Sequence, residues 1–257
     1  MVSSSKHPES RKPLRGVRTM DVVLDWLRKQ MLTGVFAEGE RLPAERLLAE
    51  QLGVTRTTLR AALGRLEGEG LLEIRQGSGA TVLDFREHGR LGLIEHLPTR
   101  GSTEELKVIR GLLELRRGVA SEAVALACER ADEEQIEELG QLAELQASET
   151  DRSEYIRRDV EFTRRVARAA DNLPMELLYN EILRASRSRP MVDQLRFEDL
   201  ALVSPTYQWT VDLIRQGDPD QARIAMKQML ELVDDAALDR LRWDKEKDTD
   251  NKGSRHD

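Results

Sequence analysis

Two short helical patterns joined by a tight turn constrain the fold of this chain more than any other feature. The first, PAERLLAEQLG, has Pro43 in the place of a first helical residue and stops at Gly53. Its large apolar side chains share one face: Leu47, Leu48 and Leu52. The second, TRTTLRAALGRL, begins where Thr55 can cap a helix, and its apolar stripe is Leu59, Leu63 and Leu66. Two helices with a glycine-containing turn between them predict a helix-turn-helix.

The pattern changes from helical to strand-like after Gly70. The runs LLEIR and ATVL are short and β-prone, and the turn-forming residues QGSG join them. A hairpin directly behind a helix-turn-helix predicts a wing. Gly77 and Gly79 also raise the alternative of a phosphate-binding loop, but no Lys-Ser or Lys-Thr pair follows and the spacing fits neither common nucleotide motif.

The rest of the chain is almost entirely helical in pattern. A helix over VRTMDVVLDWLRKQML precedes the helix-turn-helix, and Asp132 and Asp218 mark helix starts farther on. The expected fold is mostly α: an N-terminal winged helix-turn-helix with a two-stranded wing, a linker helix, and a C-terminal all-α bundle of about six to seven helices. The expected divisions are a disordered arm at 1–16, the winged domain at 17–84, a linker at 85–101, the bundle at 102–243 and a disordered tail at 244–257.

Charge is distributed unevenly between the two predicted domains. The chain has a net charge of −7, but residues 1–90 carry 15 Lys and Arg against 12 Asp and Glu. The acidic excess therefore belongs to the helical part, and an anionic partner is compatible with the N-terminal part. No apolar run reaches the roughly 18 residues of a membrane span, and the single cysteine, Cys128, suits a reducing compartment. We expect a cytoplasmic protein that does not bind membranes.

The outward face of the second helix carries the chemistry of a DNA-binding surface. A helical wheel places Arg56, Thr57, Arg60 and Gly64 opposite the apolar stripe, and no acidic residue occurs from Thr55 to Leu66. Hydroxyl groups and a helix N-terminus suit phosphate, and arginine can donate two parallel hydrogen bonds to guanine. A solvated helix start is the alternative for these residues alone; together with the turn and the wing, they favour recognition of the major groove.

The stretch GERLPAERLLAEQLGVTRTTLRAALGRLEGEGLLEIRQGSGATV resembles the winged helix-turn-helix of GntR-family bacterial transcription regulators. The segments LELRRGVASEAVALACERADEEQIEEL, RRDVEFTRRVARAADN and VDLIRQGDPDQARIAMKQMLELV look like the ligand-sensing bundle of the family's FadR-type branch. The resemblance implies a homodimeric, nucleoid-associated regulator that binds double-stranded operator DNA and responds to a small-molecule effector. Transferred position by position, it implies these DNA contacts: Arg46, Thr55, Arg56, Thr57, Thr58, Arg60, Gln76 and Gly77. Within that set, we expect Arg56 and Arg60 to reach base edges and the threonines and Arg46 to hold phosphates.

The same resemblance bears on metal binding, because many members of the branch hold a divalent ion with one aspartate and three histidines. Asp159 matches the aspartate, whereas the three histidine positions hold Thr163, Tyr207 and Met229. One carboxylate with those side chains is a poor ligand set, so we expect no metal and no other cofactor.

A metal-free bundle resembles the acyl-CoA-sensing member of the branch, and Arg116 and Tyr207 match residues of its pocket. The effector is therefore expected to be an acyl-CoA or another organic acid. The expected effector-binding residues are Arg116, Asp159, Thr163, Tyr207 and Met229. Two alternatives remain open, a bundle that serves only dimerisation and one that senses a non-acyl carboxylate. Enzyme activity is not expected, since the chain contains no nucleophile elbow, phosphate loop or zinc-protease motif.

Overall fold

The computed structural model describes residues 19–99, 102–188, 192 and 200–253, with only the backbone described at residue 103 and at residues 240–253. The chain divides into two compact units, residues 1–101 and 102–257, and each is described by itself below. The arm expected at 1–16 lies outside the described residues.

A helix-turn-helix forms the centre of the first unit, as the sequence predicts. Its helices are α1 (Met20–Leu32), α2 (Glu45–Leu52) and α3 (Arg56–Gly68). Gly53 ends α2 with a left-handed φ of 68°, and Thr55 caps α3 by accepting a hydrogen bond from the Thr58 amide at 3.1 Å. Two details differ from expectation: α2 begins at Glu45, after Pro43, and Leu47 is 45% exposed while Leu48 and Leu52 are buried.

The wing is a two-stranded antiparallel hairpin of β1 (Leu72–Arg75) and β2 (Gly79–Val82). Residues 76–78 form its turn, flanked by the register pair Arg75 and Gly79. An isolated bridge from Arg41 to Thr81 ties the loop before α2 to the outer edge of the wing. In place of one linker helix, the chain continues as α4 (Phe85–His88) and a 3-10 helix (Leu91–His96).

An apolar core and a partly buried ion pair help to hold the first unit together. Arg28 of α1 donates to both carboxylate oxygens of Glu69, at 2.8 and 2.6 Å, just beyond the end of α3. Burial lowers the pKa of Arg28, but the bonds to Glu69 and Asp25 outweigh it and leave the pKa raised, so this arginine is always charged. The core side chains come from α1, the loop after it, α2, α3 and both strands: Val23, Leu24, Leu27, Phe36, Leu48, Leu59, Leu63, Leu66, Leu72 and Val82.

Gly70 connects α3 to the wing in a conformation that only glycine adopts without strain. Its φ is +77°, and a Cβ at this position would lie 1.9 Å from the carbonyl oxygen of His88. We expect Gly70→Ala to destabilise the first unit by about 2 kcal/mol or more, because the left-handed backbone and the backbone clash both oppose a side chain. Urea denaturation with hydrogen exchange of amides 19–99 measures this loss.

Gly68 is the matched control for this substitution. It ends α3, and a Cβ there would meet nothing within 4 Å. Gly68→Ala is expected to be neutral or stabilising by about 0.5–1 kcal/mol. Equal stability of the two alanine variants would contradict the role given to Gly70.

Helices build the described part of the second unit. They are α5 (Thr103–Arg130), α6 (Glu133–Ala147), α7 (Arg152–Ala169), α8 (Leu173–Arg187), α9 (Leu200–Val203), α10 (Pro205–Gln216) and α11 (Pro219–Gly253). The expected helix starts are confirmed: Asp132 forms a capping box with Gln135, and Asp218 accepts from the Gln221 amide at 3.0 Å. The backbone of residues 244–253 continues α11, where the composition predicts a disordered tail; residues 254–257 lie outside the described residues.

The core of the second unit lies where α5, α7, α10 and α11 meet, with α6 closing one side. Tyr155 is fully buried, and its ring meets that of Tyr207 edge to face at 5.9 Å. Cys128 is partly buried against the same core, and burial raises the pKa of its thiol. The described helices include none that is both long and apolar enough to cross a lipid bilayer.

Candidate functional site

Helix α3 presents the face that the sequence predicts. Its inward side chains are buried: Leu59, Ala62, Leu63 and Leu66. Arg56, Thr57 and Arg60 are exposed on the opposite side. The Thr55 and Thr58 hydroxyls lie 2.9 Å apart and are hydrogen-bonded, so these two threonines organise the first turn. The first turn therefore displays hydroxyls, guanidinium groups and helix N–H groups together, a combination that binds phosphate and base edges.

An acidic residue from the neighbouring helix enters this basic face. Glu45, the first residue of α2, accepts a hydrogen bond from Arg60 Nε at 2.6 Å and lies 3.9 Å from Arg56 Nη2. The Arg60 side chain is 64% exposed and that of Glu45 30%. Because the segment from Thr55 to Leu66 has no acid of its own, only the packing of α2 against α3 brings this carboxylate there.

The remaining candidate DNA contacts lie on α2 and at the wing tip. Arg46 is highly exposed, with Glu50 3.7 Å away along the same helix. Gln76 and Gly77 are exposed in the turn of the hairpin, where Gly77 has a φ of 82°. Among the described residues, no hydrogen bond or ion pair joins these three positions to α3. All three residues are therefore accessible to a partner that binds the exposed face of α3.

The second unit has a partly open cavity between α5, α7, α10 and α11. Its volume is about 80 Å³, enough for roughly two or three water molecules at about 30 Å³ each. All five expected effector residues line it: Arg116, Asp159, Thr163, Tyr207 and Met229. Much of the remaining wall is apolar, including Val119, Val124, Phe162, Val166, Met226 and Leu230. The cavity thus combines an apolar body with a few polar groups.

The polar groups on one side of the cavity are already bonded to each other. The Tyr207 hydroxyl donates to Asp159 Oδ1 at 2.9 Å, and the Thr163 hydroxyl donates to the Asp159 backbone carbonyl at 2.7 Å. Phe162 packs edge to face on Tyr207 at 5.1 Å. Next to them, burial raises the pKa of the Tyr155 phenol, which therefore stays protonated.

These side chains do not fit a divalent metal site of the kind that the sequence resemblance raises. The Asp159 carboxylate accepts a hydrogen bond from the Tyr207 hydroxyl, and the Thr163 hydroxyl donates to the Asp159 backbone carbonyl. Met229 offers only a thioether sulfur. A divalent ion of that kind needs imidazole or carboxylate donors in their place. In the described part of the chain, no three His, Cys, Asp or Glu side chains gather around a point.

A buried ion pair lies at the other side of the cavity. Arg116 Nη2 donates to Asp234 Oδ1 at 2.7 Å, and the two side chains are 9% and 3% exposed. Arg116 Nε and Asp234 Oδ2 are buried without a hydrogen-bond partner among the described residues. The sequence did not single out Asp234. The helical spacing could have predicted its burial, because Asp234 follows Met226 and Leu230 at four-residue intervals on the inward face of α11.

Comparisons with known proteins match both units. The family model described as bacterial regulatory proteins of the gntR family matches residues 19–82, and the FCD domain model matches residues 111–232. The transcriptional regulator Mce2R of Mycobacterium tuberculosis is 34% identical over 84% of this chain and 90% of the relative. The transcriptional repressor NanR of an Enterobacter species is 30% identical over 87% and 86%. A solved Listeria monocytogenes structure, Lar, has the same fold, with a TM-score of 0.51, 20% identity and coverage of 89% and 100%.

Proposed function

This chain belongs to the GntR family of bacterial regulatory proteins and carries an FCD domain, and on that premise we propose how it reads DNA and what changes its affinity. Residues 17–84 bind operator DNA, residues 85–101 link the domains, and residues 102–243 bind an effector and form a homodimer. One winged module reads one half-site, so a two-fold symmetric dimer reads a two-fold symmetric operator. The protein acts in the cytoplasm, at the nucleoid.

The exposed first turn of α3 supports the DNA-binding part of the proposal. Arg56 and Arg60 read base edges in the major groove, and Thr57 with the helix N-terminus holds phosphate. Arg46, Thr55 and Thr58 add phosphate contacts, and the wing tip with Gln76 and Gly77 enters the neighbouring groove.

The cavity beside Arg116 supports the effector part. A buried guanidinium with one unbonded N–H can donate to a carboxylate, and the apolar wall can hold a hydrocarbon body. A volume near 80 Å³ favours a small organic acid over a whole coenzyme A thioester. Asp159, Thr163, Tyr207 and Met229 shape the rest of the site, without a metal. The acid changes DNA affinity by binding one arrangement of the dimer more tightly than another.

Calorimetric titration with short aliphatic and aromatic monocarboxylates tests the effector part. Binding is expected for some acids and for none of the matching primary amides, because the amides lack the charge that Arg116 recognises. The matching coenzyme A thioesters are the second comparison. Heat with the thioesters alone would replace the small acid with an acyl-CoA, and no heat or melting shift with any compound would favour a bundle that only dimerises.

A further inference from the structure

The Glu45 carboxylate lies close to both arginines that we assign to base reading. Glu45 Oε2 is 2.6 Å from Arg60 Nε and 3.9 Å from Arg56 Nη2. Arg56 and Arg60 are four residues apart on α3 and therefore share its exposed face. The carboxylate comes from a different helix, so its place is fixed by the packing of α2 on α3.

The way in which Glu45 holds Arg60 leaves the reading atoms available. The hydrogen bond uses Nε, whereas Nη1 and Nη2 form a forked pair of donors that matches O6 and N7 of guanine. A guanidinium fixed at Nε has fewer orientations to lose when it enters the groove. The contact therefore favours the bidentate geometry before DNA arrives.

Stability alone does not account for an acid at this place. An exposed ion pair contributes little to folding, and both arginines are more than half exposed. A negative charge on a face that meets phosphates also weakens binding to any DNA sequence. The carboxylate reduces the repulsion between the Arg56 and Arg60 guanidinium groups. It also fixes the orientation of the Arg60 guanidinium.

We propose that Glu45 is a positioning residue that raises discrimination between operator and other DNA at the expense of overall affinity. It acts through Arg56 and Arg60, so this inference rests on the function proposed for α3. Replacing Glu45 should therefore change the ratio of the affinity for operator DNA to the affinity for other DNA. A residue that only stabilises the fold would not change that ratio.

The test compares Glu45→Gln with Glu50→Gln in the full-length protein. Both variants remove one negative charge from the same helix, but Glu50 pairs with Arg46 of that helix, whereas Glu45 pairs with Arg60 of α3. Two duplexes serve as probes: one recovered by the wild-type protein from random sequences, and one of equal length with its core scrambled. Each affinity is measured at several salt concentrations, and melting curves check that the variants are folded.

Glu45→Gln is expected to bind the scrambled duplex more tightly and to lose at least about fivefold in the ratio of the two affinities, the lower bound for one bidentate arginine contact. Glu50→Gln is expected to keep the ratio. In an Arg60→Ala background, Glu45→Gln should change the ratio much less, since the group it positions is absent.

The outcomes separate this inference from the proposed function. If Arg60→Ala lowers the ratio and Glu45→Gln does not, the positioning role is wrong and the assignment of Arg60 stands. An equal loss of ratio in Glu50→Gln would also refute it, because the effect would be one of charge alone. If Arg60→Ala leaves the ratio unchanged, both the base-reading assignment and the role of Glu45 fail.

Discussion

Arg60→Ala is expected to weaken operator binding by about 1–3 kcal/mol, because one bidentate contact to a guanine edge is lost. Arg56→Ala is expected to have an effect of the same size. Both guanidinium groups lie near the Glu45 carboxylate, so the double variant should depart from the sum of the two losses. Fluorescence anisotropy with a duplex selected by the wild-type protein, at one fixed salt concentration, measures each loss.

Arg46→Ala is the comparison that separates base reading from phosphate binding. It is expected to weaken binding to selected and scrambled duplexes alike and to reduce the salt slope by about one, as one lost phosphate contact does. Arg60→Ala, in contrast, should act mainly on the selected duplex. A uniform loss for Arg60→Ala, with no change in sequence preference, would reassign this arginine to phosphate.

Asp234→Ala is expected to destabilise the second unit by about 3–5 kcal/mol, the usual result of removing one partner from a buried ion pair. Arg116 would keep its charge in an environment where its side chain is 9% exposed, and it would lose the hydrogen bond that Asp234 Oδ1 accepts from it. Urea denaturation, with hydrogen exchange of amides in residues 102–188, measures the loss.

The paired replacement Arg116→Met with Asp234→Leu gives the matched control. It removes both charges and keeps apolar volume, so it should recover most of the stability lost in Asp234→Ala. The same double variant should no longer bind a carboxylate effector, because the guanidinium is gone. If Asp234→Ala is as stable as the wild-type protein, the Arg116–Asp234 pair is not a buried contact in solution.

The helix-turn-helix and its wing could be predicted because their determinants are local. Gly53 must adopt a left-handed φ, Thr55 must cap the next helix, and the apolar stripe of α3 must face inward. Each is a property of a few consecutive residues, and each appears in the structure where the sequence places it. The capping box at Asp132 was predictable for the same reason.

Contacts between distant segments could not be predicted in this way. Asp234 meets Arg116 across 118 residues of sequence, and periodicity says only that Asp234 faces inward. Glu45 contacts Arg60 because of the way α2 packs against α3. No local sequence pattern encodes that packing geometry. Leu47 matched the apolar stripe of α2, but a helix of eight residues buries only part of such a face. The lining of the cavity is different, because it was reached through the family resemblance and not through a local pattern. The five residues that the resemblance implied all line the same cavity.

Selection of bound duplexes from a random-sequence pool, performed in parallel with the wild-type protein and Arg60→Ala, tests the central claim most directly. We expect the wild-type protein to enrich a two-fold symmetric sequence whose half-sites contain guanine and lie about one helical turn apart or a multiple of it. Arg60→Ala should lose the preference for guanine at one position of each half-site. No enrichment by the wild-type protein, or an identical sequence recovered by both proteins, would contradict operator reading by α3.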